Sequence, residues 1–237
     1  MQPELQTVRT DYPAGTLPGV EPAISAGRVL RNTYMLLAIT MVPTVIGAVA
    51  GANTNFAFLR LYPIAAPLVM LAVMIGLLFG VTRFRNSSVG VLLLLGFTFI
   101  AGWWLGPLLQ VALGFRNGPQ LIGLAGGGTG VVMLVMAGIA SRSKRDFSFL
   151  GNFLFVGLIL LVVASIANLF FQIPALALAI STIAVFVFSL FILYDVSRVV
   201  NGGETNYVMA AMAIYLDIYN LFISLLQLLM AFAGNRD

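Results

Sequence analysis

Seven apolar runs, each about as long as a membrane-crossing helix, constrain this chain more than any other feature of its sequence. A helix needs ~20 apolar residues to cross the ~30 Å hydrocarbon layer of a bilayer. Backbone polar groups must be paired inside that layer, and runs that are continuously apolar rather than alternating favour helices over a closed barrel. The sequence therefore predicts an all-α membrane protein, a seven-transmembrane helix bundle. The predicted spans are about 33–51, 61–81, 89–110, 120–140, 149–171, 175–197 and 208–232.

The composition excludes several classes of function. The chain is 60% hydrophobic and only 8% charged, whereas a soluble domain carries about 25% charged residues. It has no cysteine and no histidine, which excludes disulfides, thiolate or histidine catalysis, and Cys- or His-ligated metals. Any proton sensing therefore falls to carboxylates. No nucleophile–base pair or metal cluster is visible, so we expect neither an enzyme nor a bound cofactor.

The positive charges predict an orientation and two regions. Residues 1–27 are polar and proline-rich, which predicts a disordered cytoplasmic tail, and residues 28–237 form the transmembrane domain. The net charge of +4 arises from cations in the loops, so we expect contact with membrane lipid and not with nucleic acid. An N-in/C-out topology concentrates Lys and Arg on the cytoplasmic side. That side then holds Arg9, Arg28, Arg31, Arg83, Arg85, Arg142, Lys144, Arg145 and Arg198, and the outer side holds Arg60, Arg116 and Arg236.

Small and polar residues within the runs predict helix packing. The fourth run contains LIGLAGGGTGVVM, with glycines at 126, 127, 128 and 130. Small residues four apart let helix backbones approach closely, so we expect this stretch to pack against a neighbouring helix. Several polar side chains at helix depth are predicted to join helices by hydrogen bonds: Gln110, Ser165, Asn168, Asn220, Ser224 and Gln227.

Two acidic residues lie inside apolar runs, where a lone carboxylate costs several kcal/mol. They are Asp195 in FVFSLFILYDVSRVV and Asp217 in AIYLDIYNLFISLL. The short loop between these runs makes the last two helices antiparallel neighbours. At ~1.5 Å per residue, Asp195 is expected ~5 Å inside its helix end and Asp217 ~14 Å beyond the start of the next helix. Helix tilt or a later start of the last helix would bring them level, so the sequence permits pairing without requiring it.

The chemistry of the two acids depends on whether they meet. If they do, both cannot ionise easily and they titrate as a unit. A shared proton would join the helices, and its loss would push them apart. Arg83, Arg85 and Arg198 are predicted on this side, and Ca²⁺, which prefers oxygen ligands, could bind transiently to Asp195 and Asp217. In the alternative, each Asp hydrogen-bonds Tyr, Ser or Asn side chains in the bundle. Both alternatives stay open.

The same residues resemble a known family. FSLFILYDVSRVV followed by AIYLDIYNLFISLL resembles the last two helices of the Bax inhibitor-1 family. KRDFSFLGNFL resembles the start of that family's fifth helix, and GFTFIAGWWLGPLL its third. RVLRNTYMLLAIT, IANLFFQIPALALAIS and NGGETNY resemble its bacterial branch of modulators of the FtsH protease. The resemblance covers about residues 28–233.

The resemblance implies a fold and two alternative functions. The fold is a seven-helix bundle in which six helices surround the last one. Asp195 and Asp217 match two aspartates that form a pH-sensitive gate for Ca²⁺ leak in bacterial members. The latch arginine at the end of the second helix falls among VTRFRNS, where Arg83 and Arg85 flank its position. The leading hypothesis is thus a bacterial inner-membrane cation leak, with Ca²⁺ as permeant ion. The alternative is a regulatory binding partner of FtsH.

Overall fold

The computed structural model describes residues 20–62, 64–143 and 146–234, and every regular element in these ranges is an α-helix. Seven spans in this part of the chain are long and apolar enough to cross a membrane, which confirms the predicted fold class. The helices α4 and α5 together make the third span. The helices are α1 (Val20–Ala52), α2 (Ala57–Leu61), α3 (Ala65–Arg83), α4 (Ser88–Trp104), α5 (Gly106–Leu113), α6 (Gly118–Arg142), α7 (Leu150–Phe171), α8 (Pro174–Val200) and α9 (Tyr207–Gly234).

The first helix begins earlier than the sequence predicted. Its backbone is helical from Val20, inside the segment 1–27 that we predicted as a disordered tail. Pro22 lies in the first turn, where the missing N–H has no helical partner to lose, so it does not oppose the helix. Ala23 and Ala26 are strong helix formers. Residues 1–19 of the predicted tail and residues 235–237 of the predicted domain lie outside the described residues.

The third span is interrupted near its C-terminal end, where the sequence predicted one continuous helix over 89–110. The helix α4 ends at Trp104 and α5 begins at Gly106. Pro107 lies in the first turn of α5, and it has no N–H to donate to the carbonyl four residues earlier, with which its ring would also clash. The break is slight, because Leu105 keeps helical dihedral angles of −67° and −15°.

The last helix lies at the centre of the bundle. Half of the residues in the apolar span of α9 are buried (50%), against 6% in α3 and 11% in α7. The helix packs against α1, α3, α4, α6 and α8, whereas α7 packs chiefly against α8. A core of fully buried side chains on α9 holds these contacts: Val208, Ala211, Ile214, Tyr215, Leu221 and Leu226. Polar groups on the buried face of α9 are therefore held in protein rather than in lipid.

Two glycine pairs bring α1 and α4 into backbone contact. Gly47 and Gly51 on α1 lie four residues apart, as do Gly102 and Gly106 across the α4–α5 break. A Cβ atom on Gly47 would lie 2.1 Å from the carbonyl oxygen of Phe99, and one on Gly102 would lie 2.1 Å from that of Thr44. Such distances leave no room for a side chain, so the small-residue contact of this bundle lies between α1 and α4.

The glycine-rich stretch of α6 does not make the contact that we predicted for it. A Cβ atom on Gly126, Gly127 or Gly130 would meet nothing within 4 Å, and one on Gly128 would only touch Leu225 at 3.6 Å. The prediction was wrong for the glycines, because spacing shows that a close approach is permitted, not that a helix is present to approach. Another face of the same stretch does pack, since Ala125 and Thr129 are buried. The glycine face borders open space.

Several polar side chains join helices at the end of the bundle where α1 and α9 end. Gln110 donates to the carbonyl oxygens of Ala52 (3.1 Å) and Thr54 (2.7 Å), which closes the end of α1. Trp103 donates from its indole nitrogen to the Thr54 hydroxyl at 3.0 Å. Ser181 on α8 donates to Gln227 on α9 at 2.9 Å. The predicted helix-joining role therefore holds for Gln110 and Gln227. In contrast, Ser165, Asn220 and Ser224 bond carbonyls of their own helices, and Asn168 caps the α7–α8 turn at Ile173.

Candidate functional site

The last two helices each turn one carboxylate into their shared interface. On α8, Asp195 lies five residues before the helix end at Val200, and its side chain is 12% exposed. On α9, Asp217 is 6% exposed and lies one turn from Ile214 and Leu221, both fully buried. Both acids therefore occupy positions that the helical period assigns to the core face.

The structure brings the two carboxyl groups together. The carboxyl groups of Asp195 and Asp217 lie within hydrogen-bonding reach of each other across the α8–α9 interface. Two ionised carboxylates are acceptors only, so a hydrogen bond between them would require a proton on one of them. The sequence left the depths of the two acids unequal, and the packing of α8 against α9 brings them level. A shared proton leaves one negative charge in the interface rather than two.

The pair is enclosed on the Asp217 side. Oδ2 of Asp217 is buried and has no hydrogen-bond partner among the described residues. A buried polar atom without a partner is costly, and an unpaired buried charge costs more. The charge state of Asp217 is therefore coupled to the contact with Asp195, because no other described group stabilises a charge on this oxygen.

A cation lies beside Asp195. The guanidinium of Arg198, one turn further along α8, lies 3.8 Å from Oδ1 of Asp195 and 3.7 Å from Oε2 of Glu204. It also lies over the ring of Tyr194, 5.7 Å from its centroid. Since Arg198 is 36% exposed, the ion pairs are partly hydrated and weak. Of the three arginines predicted near the pair, Arg198 is the one that the structure places against it.

The other two predicted arginines lie apart from the carboxylates. Arg83 and Arg85 are exposed, and neither forms an ion pair with a carboxylate that the structure describes. Arg85 takes part through its backbone instead, since its carbonyl oxygen accepts a bond from Asn206 at 3.1 Å. The α3–α4 loop is thus attached to the α8–α9 loop by main-chain contact.

The α8–α9 loop links the aspartate pair to this neighbouring loop. Glu204, which bonds Arg198 through one oxygen, accepts the backbone N–H of Asn206 with the other at 2.9 Å. Asn206 accepts from the N–H groups of Val208 and Met209, each at 3.0 Å, and so caps α9. It also donates to the Asn86 side chain at 2.7 Å. Sequence reasoning missed both loop residues, although Asn just before an apolar run is a helix-start signal.

The alternative partners for the two acids are occupied elsewhere. The Tyr215 hydroxyl lies 3.0 Å from the Thr44 hydroxyl, and Tyr219 donates to the carbonyl of Ala101 at 3.0 Å. Asn220 donates to the carbonyl of Leu216 within its own helix. These contacts fix α9 against α1 and α4 and leave the carboxyl groups to each other.

The pair offers few ligands to a cation. In the described ranges, no three His, Cys, Asp or Glu residues are grouped to hold a metal ion. Ca²⁺ takes six to eight oxygen ligands in a resident site, and two carboxylates offer at most four. The geometry therefore suits brief contact with a cation that keeps part of its hydration shell.

Residues 26–234 match the model of the family described as "Inhibitor of apoptosis-promoting Bax1". The chain is 44% identical over 219 residues to an uncharacterized membrane protein of Vibrio cholerae, an alignment that covers 92% of this chain and 95% of that protein. It is 35% identical over 206 residues to the modulator of FtsH protease YccA of Escherichia coli K12, covering 87% and 91%. An uncharacterized protein of Pseudomonas aeruginosa is 40% identical over 209 residues, covering 88% and 91%.

Proposed function

The chain belongs to the Bax inhibitor-1 family and is a multi-pass protein of the bacterial inner membrane, and on that premise we propose that it is a pH-sensitive leak for Ca²⁺ or a similar cation. The gate is the pair formed by Asp195 and Asp217. The observation that carries the proposal is the close approach of two buried carboxyl groups on adjacent membrane-spanning helices. A hydrogen bond between them exists only while a proton is shared.

The shared proton holds the gate closed in this proposal. When it leaves, two like charges face each other at roughly 4 Å, which costs about 4 kcal/mol in a protein environment of effective dielectric constant ~20. The helices α8 and α9 then gain by separating. The same event creates a doubly negative site, which attracts a hard cation with oxygen ligands. Loss of the one shared proton thus both opens the proposed gate and attracts a cation to it.

The direction of the pH response follows from comparing two effects. Adding a second proton removes only the ion pair between Asp195 and Arg198, and a partly exposed pair contributes no more than about 1 kcal/mol. Removing the shared proton introduces a repulsion several times larger. The larger effect decides the sign, so cation flux rises as the pH rises through deprotonation of the pair.

The test is Ca²⁺ flux into proteoliposomes at a series of pH values. We expect the wild-type protein to show flux that rises with pH, and the double variant Asp195→Asn with Asp217→Asn to lose that dependence. Asp146→Asn is the matched control, because Asp146 is an exposed acid outside the pair. A pH profile that survives in the double variant would remove the proposed gate.

A second candidate function is regulation of the FtsH protease. The 35% identity to a protein named modulator of FtsH protease supports it over most of the chain. The names "inhibitor" and "modulator" both describe regulation rather than catalysis.

Two measurements test the second candidate. We expect FtsH to co-purify with the tagged protein from membranes, and the half-lives of its membrane substrates to shorten when the gene is deleted. The double Asn variant should restore normal turnover, since the proposed gate is not needed for binding. Unchanged half-lives in the deletion strain would end this candidate and leave the leak untouched.

A further inference from the structure

An apolar groove runs along the bundle between α1 and α6. Both helices pack against α9, but in the described part of the chain they hardly pack against each other. The cavity between them has a volume of about 1030 Å³, with Tyr215, Tyr219 and Phe222 of α9 as its floor. Its rims carry exposed apolar side chains, such as Val45 (60% exposed) and Leu134 (71% exposed). In a membrane-spanning chain, such an opening faces the hydrocarbon layer.

Glycines on α6 keep the groove open. Gly126, Gly130 and Gly138 line it, and a Cβ atom on any of the three would meet nothing within 4 Å. Gly126 and Gly130 lie four residues apart, and Gly138 lies eight residues after Gly130. The stretch that we expected to bring another helix close instead leaves space for an occupant from outside the chain.

The surroundings of the groove favour a lipid tail over a helix, which is about 10 Å across. Extended acyl chains are thinner and are the surrounding solvent of this part of the protein. An apolar surface at this depth is filled by them without a change in fold.

One end of the groove is polar and positively charged. Tyr34 on α1 and Ser141 on α6 line it at the end where α1 begins and α6 ends. Arg31 lies one turn before Tyr34, and Arg142 lies four residues after Gly138, so both continue the groove faces of their helices. Both arginines are exposed, and neither forms an ion pair with a carboxylate in the described ranges.

We propose that this groove is a binding site for an anionic phospholipid. Its acyl chains lie between α1 and α6 against α9, and its phosphate lies at Arg31, Arg142 and the exposed Ser141 hydroxyl. Basic pockets between membrane helices bind anionic headgroups in this way. An apolar channel that ends in unpaired guanidinium groups matches the two halves of one phospholipid molecule. The site is separate from the aspartate pair.

Native mass spectrometry of the protein, released from mixed phosphatidylglycerol and phosphatidylcholine micelles, tests the site. We expect one phosphatidylglycerol to remain bound to the wild type. Gly130→Leu fills the groove and should lose most of that adduct. Gly127→Leu is the matched control, because Gly127 is exposed on the same helix but does not line the groove. Neither substitution meets a neighbouring atom at Cβ, so both variants should fold.

The headgroup is tested separately from the tails. Arg31→Gln and Arg142→Gln should each lower the preference for phosphatidylglycerol over phosphatidylcholine roughly fivefold. Arg116→Gln, at the other end of α6, should leave it unchanged. Equal retention of both lipids by the wild type, or full retention by Gly130→Leu, would overturn the proposal. A lipid-free dimer that Gly130→Leu dissociates would do so too, by showing that a second copy fills the groove.

Discussion

Asp217 is held in the bundle with one carboxyl oxygen that has no hydrogen-bond partner among the described residues. The Asp217 side chain lies against Asp195, and Arg198 is the only described cation beside the pair. In the proposed gate, the role of this residue therefore depends on a proton rather than on a fixed ion pair. On that proposal, residue-scale changes around the pair should alter the pH dependence of cation flux more than they alter the stability of the protein.

Arg198→Gln tests the role of the neighbouring cation. Without the positive charge 3.8 Å from Asp195, the doubly ionised pair is less stable, so the rise of cation flux should move to higher pH. The loss in folding stability should stay below about 1 kcal/mol, since the ion pair is partly exposed. Flux in proteoliposomes and thermal unfolding in detergent measure the two effects. If Arg83→Gln moves the profile and Arg198→Gln does not, the latch lies on α3.

Asp146, in the loop before α7, makes the folding stability of the protein depend on pH. The hydroxyl of Ser148 (2.6 Å) and its backbone N–H (2.9 Å) both donate to Asp146, and these bonds hold its pKa below the ordinary value. Because the pKa of Asp146 is lower in the folded state than in the unfolded state, ionised Asp146 stabilises the fold. This stabilisation is complete at a pH above the unfolded-state pKa and is lost as the pH falls through the folded-state pKa. Ser148→Ala should raise the pKa of Asp146 toward the ordinary value, as carboxyl NMR titration would show.

The sequence was informative about the two acids but not about their surroundings. Their position inside apolar runs identified Asp195 and Asp217, because an intramembrane charge is rare and costly. Their contact depended on helix tilt, which no local pattern encodes. Arg198 lies only three residues from Asp195 in the sequence. Choosing it over Arg83 and Arg85 required knowing where the ends of α3 and α8 lie in space.

At the scale of elements, the α1–α4 contact depends on glycines that tolerate no side chain. Gly102→Ala would place a Cβ atom 2.1 Å from the Thr44 carbonyl oxygen. The helices must then separate, which should destabilise the protein by roughly 1–3 kcal/mol despite the better helix propensity of alanine. Thermal unfolding in detergent measures this change.

Gly127→Ala is the matched control for that substitution, because its Cβ atom would meet nothing within 4 Å. It should leave stability unchanged or raise it slightly, since alanine favours the helix. Equal unfolding temperatures for the two variants would contradict the close contact between α1 and α4.

The periodicity and length of the apolar runs predicted the helices well, but they did not predict how the helices pack against each other. The seven spans follow from apolar length, and the break after Trp104 could have been read from Pro107. We expected the close contact at the glycines of α6, because GAVAG on α1 and GWWLG at the α4–α5 break have the same spacing as that richer stretch. Only the arrangement of helices distinguishes them.

At the scale of the molecule, the excess of Lys and Arg on one side predicts an N-in/C-out orientation. The chain has no cysteine, so single cysteines report sidedness without background labelling. Arg116→Cys, in the α5–α6 loop, should react with a membrane-impermeant maleimide in spheroplasts. Thr205→Cys, in the α8–α9 loop, should react only after the membrane is permeabilised. The reverse pattern would place the aspartate end of the bundle outside the cell.

The same orientation places the charged end of the lipid groove and the aspartate pair on the cytoplasmic side. The central position of α9 connects them, since this helix carries Asp217 toward α8 and forms the floor of the groove with Tyr215 and Tyr219. A bound lipid and a shared proton would thus both act on the packing of one enclosed helix.

The central claim is that Asp195 and Asp217 share one proton whose loss opens the path for cations. Infrared difference spectroscopy of protein labelled with ¹³C-aspartate, recorded between acidic and alkaline buffer, measures that proton directly. The account predicts a protonated buried carboxyl signal that disappears over the same pH interval in which Ca²⁺ flux rises, and that is absent from the double Asn variant. A signal that persists in that variant, or flux that rises while the carboxyl stays protonated, would contradict it.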